Sequence, residues 1–368
     1  MVKRITHLTS VHKRNDIRIF LKECVSLSNH FDVTLIVADG QGDAKESNIQ
    51  ILDIGKPLSR WNRMTKTSKQ MFLKAASLNS DLYHIHDPEL IPVGVKLLNQ
   101  GFKVIFDAHE DLPKQILTKP YLHKMVRKPL ALSIAYYEKL SLKKFSGIIT
   151  STSTIAAKFR LINNNVANIN NYPILNELFD NVETTNEVKN TFSFVGGMTA
   201  IRGITEILDA IDYVKQPCQI AFAGEFSPLV FKQLSTAHKN FQNVDYLGQL
   251  NRVEVKNLLK TSLAGLVLYA PVPNHIDAQP NKLFEYMSAG IAVIGSNFPL
   301  WKDIIEAYSC GICVNPEDPK QIAEAINYLR DHPELAKEMG LKGRNAVINT
   351  FNWETEQQKL VSFYNKIL

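Results

Sequence analysis

Phe192–Ile211 reads FSFVGGMTAIRGITEILDAI, and its two ends ask for different backbones. A short apolar run halts at Gly196-Gly197, and a helical pattern begins after Arg202-Gly203. Strand, tight turn and helix in that order make half of a βαβ unit, the building block of a parallel sheet. Free backbone N–H groups at the helix start, beside Arg202, also suit an anion such as phosphate.

The same alternation extends outward in both directions. Downstream the apolar runs are CQIAFAGE, VDYLGQL, AGLVLYA, IAVIGS and GICVNPE. Upstream they are RITHLTS, DVTLIVA, IQILDI, DLYHIHD, KVIFDAHE, GIITST and VANIN, with helical patterns over 16–28, 60–76 and 88–98 between them. The stretch NNYPILNELFDNVETTNEVKN interrupts the series and is polar and Asn-rich, which predicts a linker over 173–190. The expected organisation is an α/β domain over 1–172, a second over 191–350, and a final amphipathic helix, 351–368, able to cross back to the first. Two doubly wound, Rossmann-like domains facing a central cleft follow, with ligands at the carboxyl ends of the strands.

Composition bounds the rest. The chain has 368 residues, 45% of them hydrophobic, enough for two cores. Its formal charge is 42 − 36 = +6, a modest excess that disfavours a nucleic-acid partner and is compatible with anionic ligands or an anionic membrane surface. No stretch reads as a signal peptide or a membrane span, so a cytoplasmic or membrane-surface location is expected. Cys310 and Cys313 form a C-x-x-C without further ligands nearby, in a context that reads as a packed strand. Neither a dinucleotide G-x-G-x-x-G nor a P-loop occurs.

Polar strand ends supply the candidates in the first half. HIHDPE carries His84, His86 and Asp87; FDAHE carries Asp107 and His109. His-x-His-Asp is compatible with a metal, yet the spacing lacks a further ligand pair, and no metal is expected. Asp87, ahead of Pro88, reads as a helix cap; His84 reads as a core histidine. The first loop, TSVHKRNDIRIF, has no glycine and offers His12, Lys13, Arg14, Asp16 and Arg18, with Asp16 a natural N-cap. Asp16, Arg18, His86, Asp87 and His109 are the acceptor-side candidates.

In the second half, PNKLFEYMSAG places Lys282 and Glu285 one helical turn apart behind Pro280. An exposed ion pair in that order is worth a few tenths of a kcal/mol. A second basic helix start in one domain favours a phosphate instead.

The set formed by GG-x-x-x-x-RG, YLGQL, PNKLFEYMSAG and SCGICVNPEDP, with NDIRIFLKE, HIHDPELIPVG and VIFDAHEDLP upstream, resembles the family-4 nucleotide-sugar glycosyltransferases of the GT-B fold, in particular bacterial enzymes of surface-polysaccharide synthesis. The resemblance implies transfer of a sugar from a nucleotide-sugar donor to a saccharide or lipid-linked saccharide acceptor, with retention and without a metal or other cofactor. It implies that Glu285 holds the donor ribose and that Asp277, where relatives carry Glu, meets the donor sugar. It further implies a donor site of Gly196, Gly197, Arg202, Asp277, Asn281, Lys282, Leu283 and Glu285. In this family an Arg precedes the diphosphate turn; Gly197 stands there, so Lys282 is expected to supply the second cation beside Arg202. His109 matches the family's histidine near the reacting centre, and His109, Arg202 and Lys282 are the catalytic candidates. The basic, aromatic stretch KPYLHKMVRKPLALSIAYYEKLSLKKF is expected to touch an anionic inner-membrane surface. A nucleotide-sugar 2-epimerase or a non-catalytic sugar- or nucleotide-binding protein would share the architecture.

Overall fold

The structure is a computed structural model and describes residues 2–119, 122–175, 177–179, 190–276 and 278–368, with the side chains of Thr118 and Asn274 left aside. The chain divides into two units, Met1–Asn171 with Trp353–Leu368, and Tyr172–Asn352.

The first unit is built on β1 (Arg4–Leu8), β2 (Asp32–Val37), β3 (Ala44–Glu46), β4 (Ile49–Asp53), β5 (Leu82–Ile85), β6 (Lys103–Ala108), β7 (Gly147–Thr150) and β8 (Val166–Asn168). Their order is β3-β4-β2-β1-β5-β6-β7-β8, parallel throughout except for β3 against β4. The runs of Ile, Val, Leu and Phe that fill β2, β5, β6 and β7 are buried on both faces, as strands sandwiched by helices must be. β3 was not foreseen. Its residues, Ala-Lys-Glu, are all exposed and carry no strand signature. What forms it is the turn: Ser47 and Asn48 both take positive φ, which closes a tight hairpin onto β4.

The last helix, Trp353–Ile367, packs in this unit, because its polar groups find partners there. Trp353 Nε1 donates to Ser26 Oγ at 2.9 Å, and Glu356 accepts from the Asn170 N–H at 2.7 Å. Gly147 leaves room for the Phe363 ring, which a Cβ would meet at 2.6 Å.

The second unit has β9 (Thr191–Val195), β10 (Gln219–Ala223), β11 (Val244–Gly248), β12 (Ala264–Val267), β13 (Ala292–Ser296) and β14 (Gly311–Val314), all parallel, in the order β11-β10-β9-β12-β13-β14. Chain order reverses between β9 and β12, so the switch point lies at their carboxyl ends. Part of the expected linker belongs to the core of this unit. Tyr172 and Leu178, at the edge of and inside the expected linker 173–190, are buried in the core of this unit beside Phe284 and Phe351. Their apolar side chains outweigh the polar setting that suggested a linker. Asn176 and residues 180–189 of that stretch lie outside the described residues. Cys310 is buried and Cys313 partly so; burial raises their thiols to about 11 and about 12, so both pack as inert hydrophobes.

Helix Asn281–Ala289 is fixed under this sheet by one tyrosine. Tyr286 Oη accepts from the Val195 N–H at 3.0 Å, at the end of β9, and donates to the Leu266 carbonyl at 3.3 Å, in β12. The ring lies so close over Gly265 that any Cβ there would clash with it. Gly265→Ala is therefore expected to lower the melting temperature, at a cost of about 1–3 kcal/mol for overpacking. A thermal melt equal to that of the parent protein would refute this account of the glycine.

Candidate functional site

The carboxyl ends of β9 and β12 gather two cations. Gly196 leaves β9 with φ +121, a conformation that L side chains rarely adopt, and its N–H donates to the Ala223 carbonyl at 2.7 Å. Lys282 extends beneath this turn: a Cβ on Gly196 would meet Lys282 Nζ at 2.5 Å. Glycine is thus required both for φ and for the approach of the ammonium. Arg202 closes the turn from the other side by donating from Nη1 to the Gly197 carbonyl at 2.9 Å.

Tyr269, just past β12, stands between the two cations. The Arg202 guanidinium lies 5.7 Å from its ring centroid and Lys282 Nζ 5.9 Å, with Nζ 3.4 Å from Tyr269 Oη. Lys282 is buried, and burial, then the charge of Arg202, pull its ammonium down to about 8 despite Glu285. Two like charges held together beside a glycine turn are costly unless an anion completes them.

Glu285 does not pair with Lys282, although one helical turn separates them. Its Oε1 accepts from Arg252 Nη1 at 2.9 Å, and Arg252 Nε donates to Glu177 Oε1 at 2.7 Å. Lys282 turns inward toward Phe194 and Tyr269, whereas Glu285 stays partly exposed. Asn281 is exposed at the helix start. Leu283 is corrected: it is fully buried in the core and its N–H donates to the Pro280 carbonyl at 3.1 Å, so it offers a ligand no side chain. Asp277 lies outside the described residues. Sequence reasoning missed Tyr269 and Arg252. The signal for Tyr269 was its place at the end of the run AGLVLYA; Arg252 sits where YLGQLN opens the next helix.

In the first unit the candidates separate into buried and accessible. Arg18, proposed for an acceptor, is internal. It makes a two-pronged ion pair with Asp107, Nε–Oδ2 and Nη2–Oδ1 both 2.9 Å, and its Nε lies 3.2 Å from Glu23. Burial alone would raise the Asp107 carboxyl, yet Arg18 and its neighbours hold it well below the usual range. His86 is also fully buried, with Nε2 2.8 Å from His7 Nδ1. Burial leaves neither residue open to a ligand. Asp87 is buried at the N-cap position of the turn Pro88–Leu90, but its side chain makes no capping bond; its Oδ2 instead accepts from Thr9 Oγ1 and the backbone of Ser10 and Val11, tying β5 to the loop after β1.

His109 and His12 remain accessible. Their rings meet edge to face at 5.4 Å, and each is about a quarter exposed. His109 Nδ1 is 3.7 Å from Asp107 Oδ2. Asp16 caps the helical run that starts at Ile17, accepting from the N–H groups of Arg18 and Ile19 at 2.9 Å, and also contacts His12 Nδ1 at 3.2 Å. Burial opposes ionisation of Asp16, but His12 and the Ile19 N–H bring its carboxyl down to about 2, while Asp16 raises His12. Arg14 is held by Asp39.

His7, Glu23, His84 and His86 offer ligand atoms within 4.8 Å of one another, the one such group among the described residues. Two nitrogens on one zinc at about 2.0–2.1 Å each sit about 3.3 Å apart in a tetrahedron. The 2.8 Å contact between His7 and His86 is shorter and is a hydrogen bond. His84 Nδ1 meets Tyr364 Oη at 2.6 Å. The group reads as packed hydrogen-bonding histidines.

Two doubly wound units, one with a two-cation glycine turn and a nearby carboxylate at its switch point, have the architecture of the GT-B fold. The comparisons agree. Residues 176–346 match the family described as "Glycosyl transferases group 1". The chain is 30% identical over 158 residues to the D-rhamnosyltransferase WbpZ of Pseudomonas aeruginosa, covering 42% of this chain and 39% of that protein. It is 33% identical over 84 residues to spore coat protein SA of Bacillus subtilis, 23% of this chain and 22% of that one. The matches thus span about two fifths or less of these relatives. In structure, sucrose-phosphate synthase from Thermosynechococcus elongatus aligns with TM-score 0.79 at 16% identity, over 99% of both chains. HepE from Anabaena, solved in complex with UDP-glucose, aligns with TM-score 0.73 at 14% identity, over 99% of this chain and 100% of that one. Likeness at such identities concerns the fold. No helix among the described residues is long and apolar enough to cross a membrane.

Proposed function

We propose that the protein transfers a sugar from a nucleoside-diphosphate sugar to a saccharide acceptor, with retention and without a metal, in polysaccharide biosynthesis. The observation that carries the proposal is the pair Lys282 and Arg202 around the Gly196-Gly197 turn, next to Glu285. Departure of a nucleoside diphosphate builds negative charge on its phosphate oxygens. A preorganised pair of cations stabilises that charge more in the transition state than in the ground state.

Glu285 is the ribose ligand in this reading. Its Oε1 is held by Arg252, which leaves Oε2 for hydroxyl donors. Asp277 is assigned to the donor sugar. His12 and His109 are assigned to the acceptor hydroxyl, and the acceptor is a lipid-linked saccharide at the cytoplasmic face of the inner membrane.

Thermal shift with UDP-, GDP-, dTDP- and ADP-sugars tests donor binding, since a ligand stabilises by RT ln(1 + [L]/Kd). One class of donor is expected to raise the melting temperature of the parent protein. Glu285→Ala is expected to weaken that donor about 10- to 100-fold, and Arg252→Gln about tenfold, as expected for lost hydrogen bonds to charged groups. No shift with any donor, or unaltered affinity in Glu285→Ala, would sink the assignment.

A further inference from the structure

One stretch of the first unit carries cations without any carboxylate. Between Asp53 and Asp81 lie Lys56, Arg60, Arg63, Lys66, Lys69 and Lys74 and no acidic residue. Most of this stretch is the continuous helical run 60–78. Its exposed side chains are mixed in kind. Leu58 is 93% exposed, Trp61 75%, and Met64 and Leu73 57% each, next to exposed Lys66 and Lys69. Neither lysine takes part in an ion pair among the described residues, while Arg63 is held by Glu89.

Helix Ser68–Leu78 packs along helix Ile91–Asn99, and between them runs a groove of about 700 Å³. Met64, Phe72, Leu73 and Val93 give its lining apolar surface, and Lys69, Lys96 and Glu89 line it as well. Lys96 Nζ lies 5.6 Å from the Phe72 ring centroid, its stem along apolar surface and its charge outward. A soluble partner of ordinary composition would not call for unpaired lysines around exposed Trp, Leu and Met. An anionic bilayer does, because it offers phosphates at the depth of the lysines and acyl chains beneath them.

We propose that helical run 60–78 and the groove beside it dock the protein on an anionic phospholipid surface, with Trp61, Leu58 and Met64 entering the headgroup boundary and a lipid chain lying in the groove. The proposal rests on the membrane-presented acceptor of the preceding reading but locates the contact away from helix Lys124–Leu142, where the sequence pointed.

The protein carries its own probe. Trp301 and Trp353 are buried, so Trp61 is the tryptophan whose emission responds to a new surface environment. Titration with phosphatidylglycerol-containing vesicles is expected to blue-shift that emission and to sediment the protein with the vesicles. Phosphatidylcholine vesicles or high salt are expected to abolish both effects. Lys66→Gln/Lys69→Gln is expected to weaken binding about thirtyfold, near tenfold or less per lysine, and Trp61→Ser to reduce sedimentation. Three outcomes overturn the proposal. The first is no binding to anionic vesicles. The second is binding unchanged in these variants but lost in Leu132→Ser/Tyr136→Ser, which puts the contact on helix Lys124–Leu142. The third is a Trp61 shift that tracks protein concentration without vesicles, the mark of a second copy of the chain. The donor thermal shift is read separately in each variant: loss of donor binding in the parent protein strikes the transferase reading, and loss of vesicle binding alone strikes this one.

Discussion

Lys282→Met is expected to lower kcat/KM for sugar transfer about 10²- to 10³-fold, equivalent to about 2.7–4 kcal/mol, the loss seen when one preorganised group facing developing negative charge is removed. The side chain lies under Gly196 with no carboxylate in contact among the described residues, so its charge is directed at the turn. Stability moves the other way. A buried ammonium beside Arg202 disfavours the folded state, and Met of similar shape removes that cost, so the variant is expected to melt at or above the parent temperature. Lost activity with retained or raised stability separates a role in the reaction from a role in folding. A variant of undiminished kcat/KM would remove Lys282 from the mechanism.

The same lysine sets a pH dependence whose sign can be worked out. Its pKa in the folded protein is about 8, below the ordinary 10.5. Between these values the unfolded chain binds more protons than the folded one, so stability of the ligand-free protein from this group rises with pH across that interval. Donor binding needs the ammonium and falls as pH passes about 8, approaching tenfold per unit. Nucleoside-diphosphate titrations at a series of pH values are expected to show that slope in the parent protein and not in Lys282→Met.

Arg18→Met is expected to destabilise the first unit by about 3–5 kcal/mol, because it leaves the Asp107 carboxylate buried without its two-pronged partner. For a unit of this size about 1 kcal/mol moves the melting temperature by about 2–4 °C, so a fall of about 6–20 °C follows. Arg18→Met/Asp107→Asn is expected to recover part of the loss, since the charge is then removed along with its partner. A melt within a degree of the parent protein would show that the pair is dispensable. Donor binding by the second unit is expected to survive in the molecules that remain folded.

This contrast between Lys282 and Arg18 shows where sequence reading succeeds. Both are cations near strand ends, and both were placed in binding sites. Lys282 stands behind Pro280 in a pattern whose apolar face, Leu283, Phe284 and Met287, dictates which side packs, and the structure brings it to Arg202 and Gly196. Arg18 stands in an ordinary amphipathic helix, and only the pairing of β6 beside β5 puts Asp107 within its reach. His86 and Asp87 moved inward for the same reason: their partners, His7 and the loop after β1, are far away in sequence and adjacent in the sheet. The exposed face of 58–73 was open to sequence counting in its charge but not in its exposure, because Leu58, Trp61 and Met64 read equally well as core.

By itself the sequence determined the alternation of strands and helices, the two α/β units and the glycine turn of Gly196-Gly197, since these depend on local periodicity and on φ. It also marked the stretch that carries Lys282 and Glu285. The tertiary structure decided which charged groups keep an open face. It turned Lys282 inward and gave Glu285 to Arg252, enclosed Arg18, His86 and Asp87, and brought His12 beside His109. A side chain's local pattern fixes the helix or strand it stands on, but its exposure and its ion-pair partner are set by residues that only the sheet order brings near.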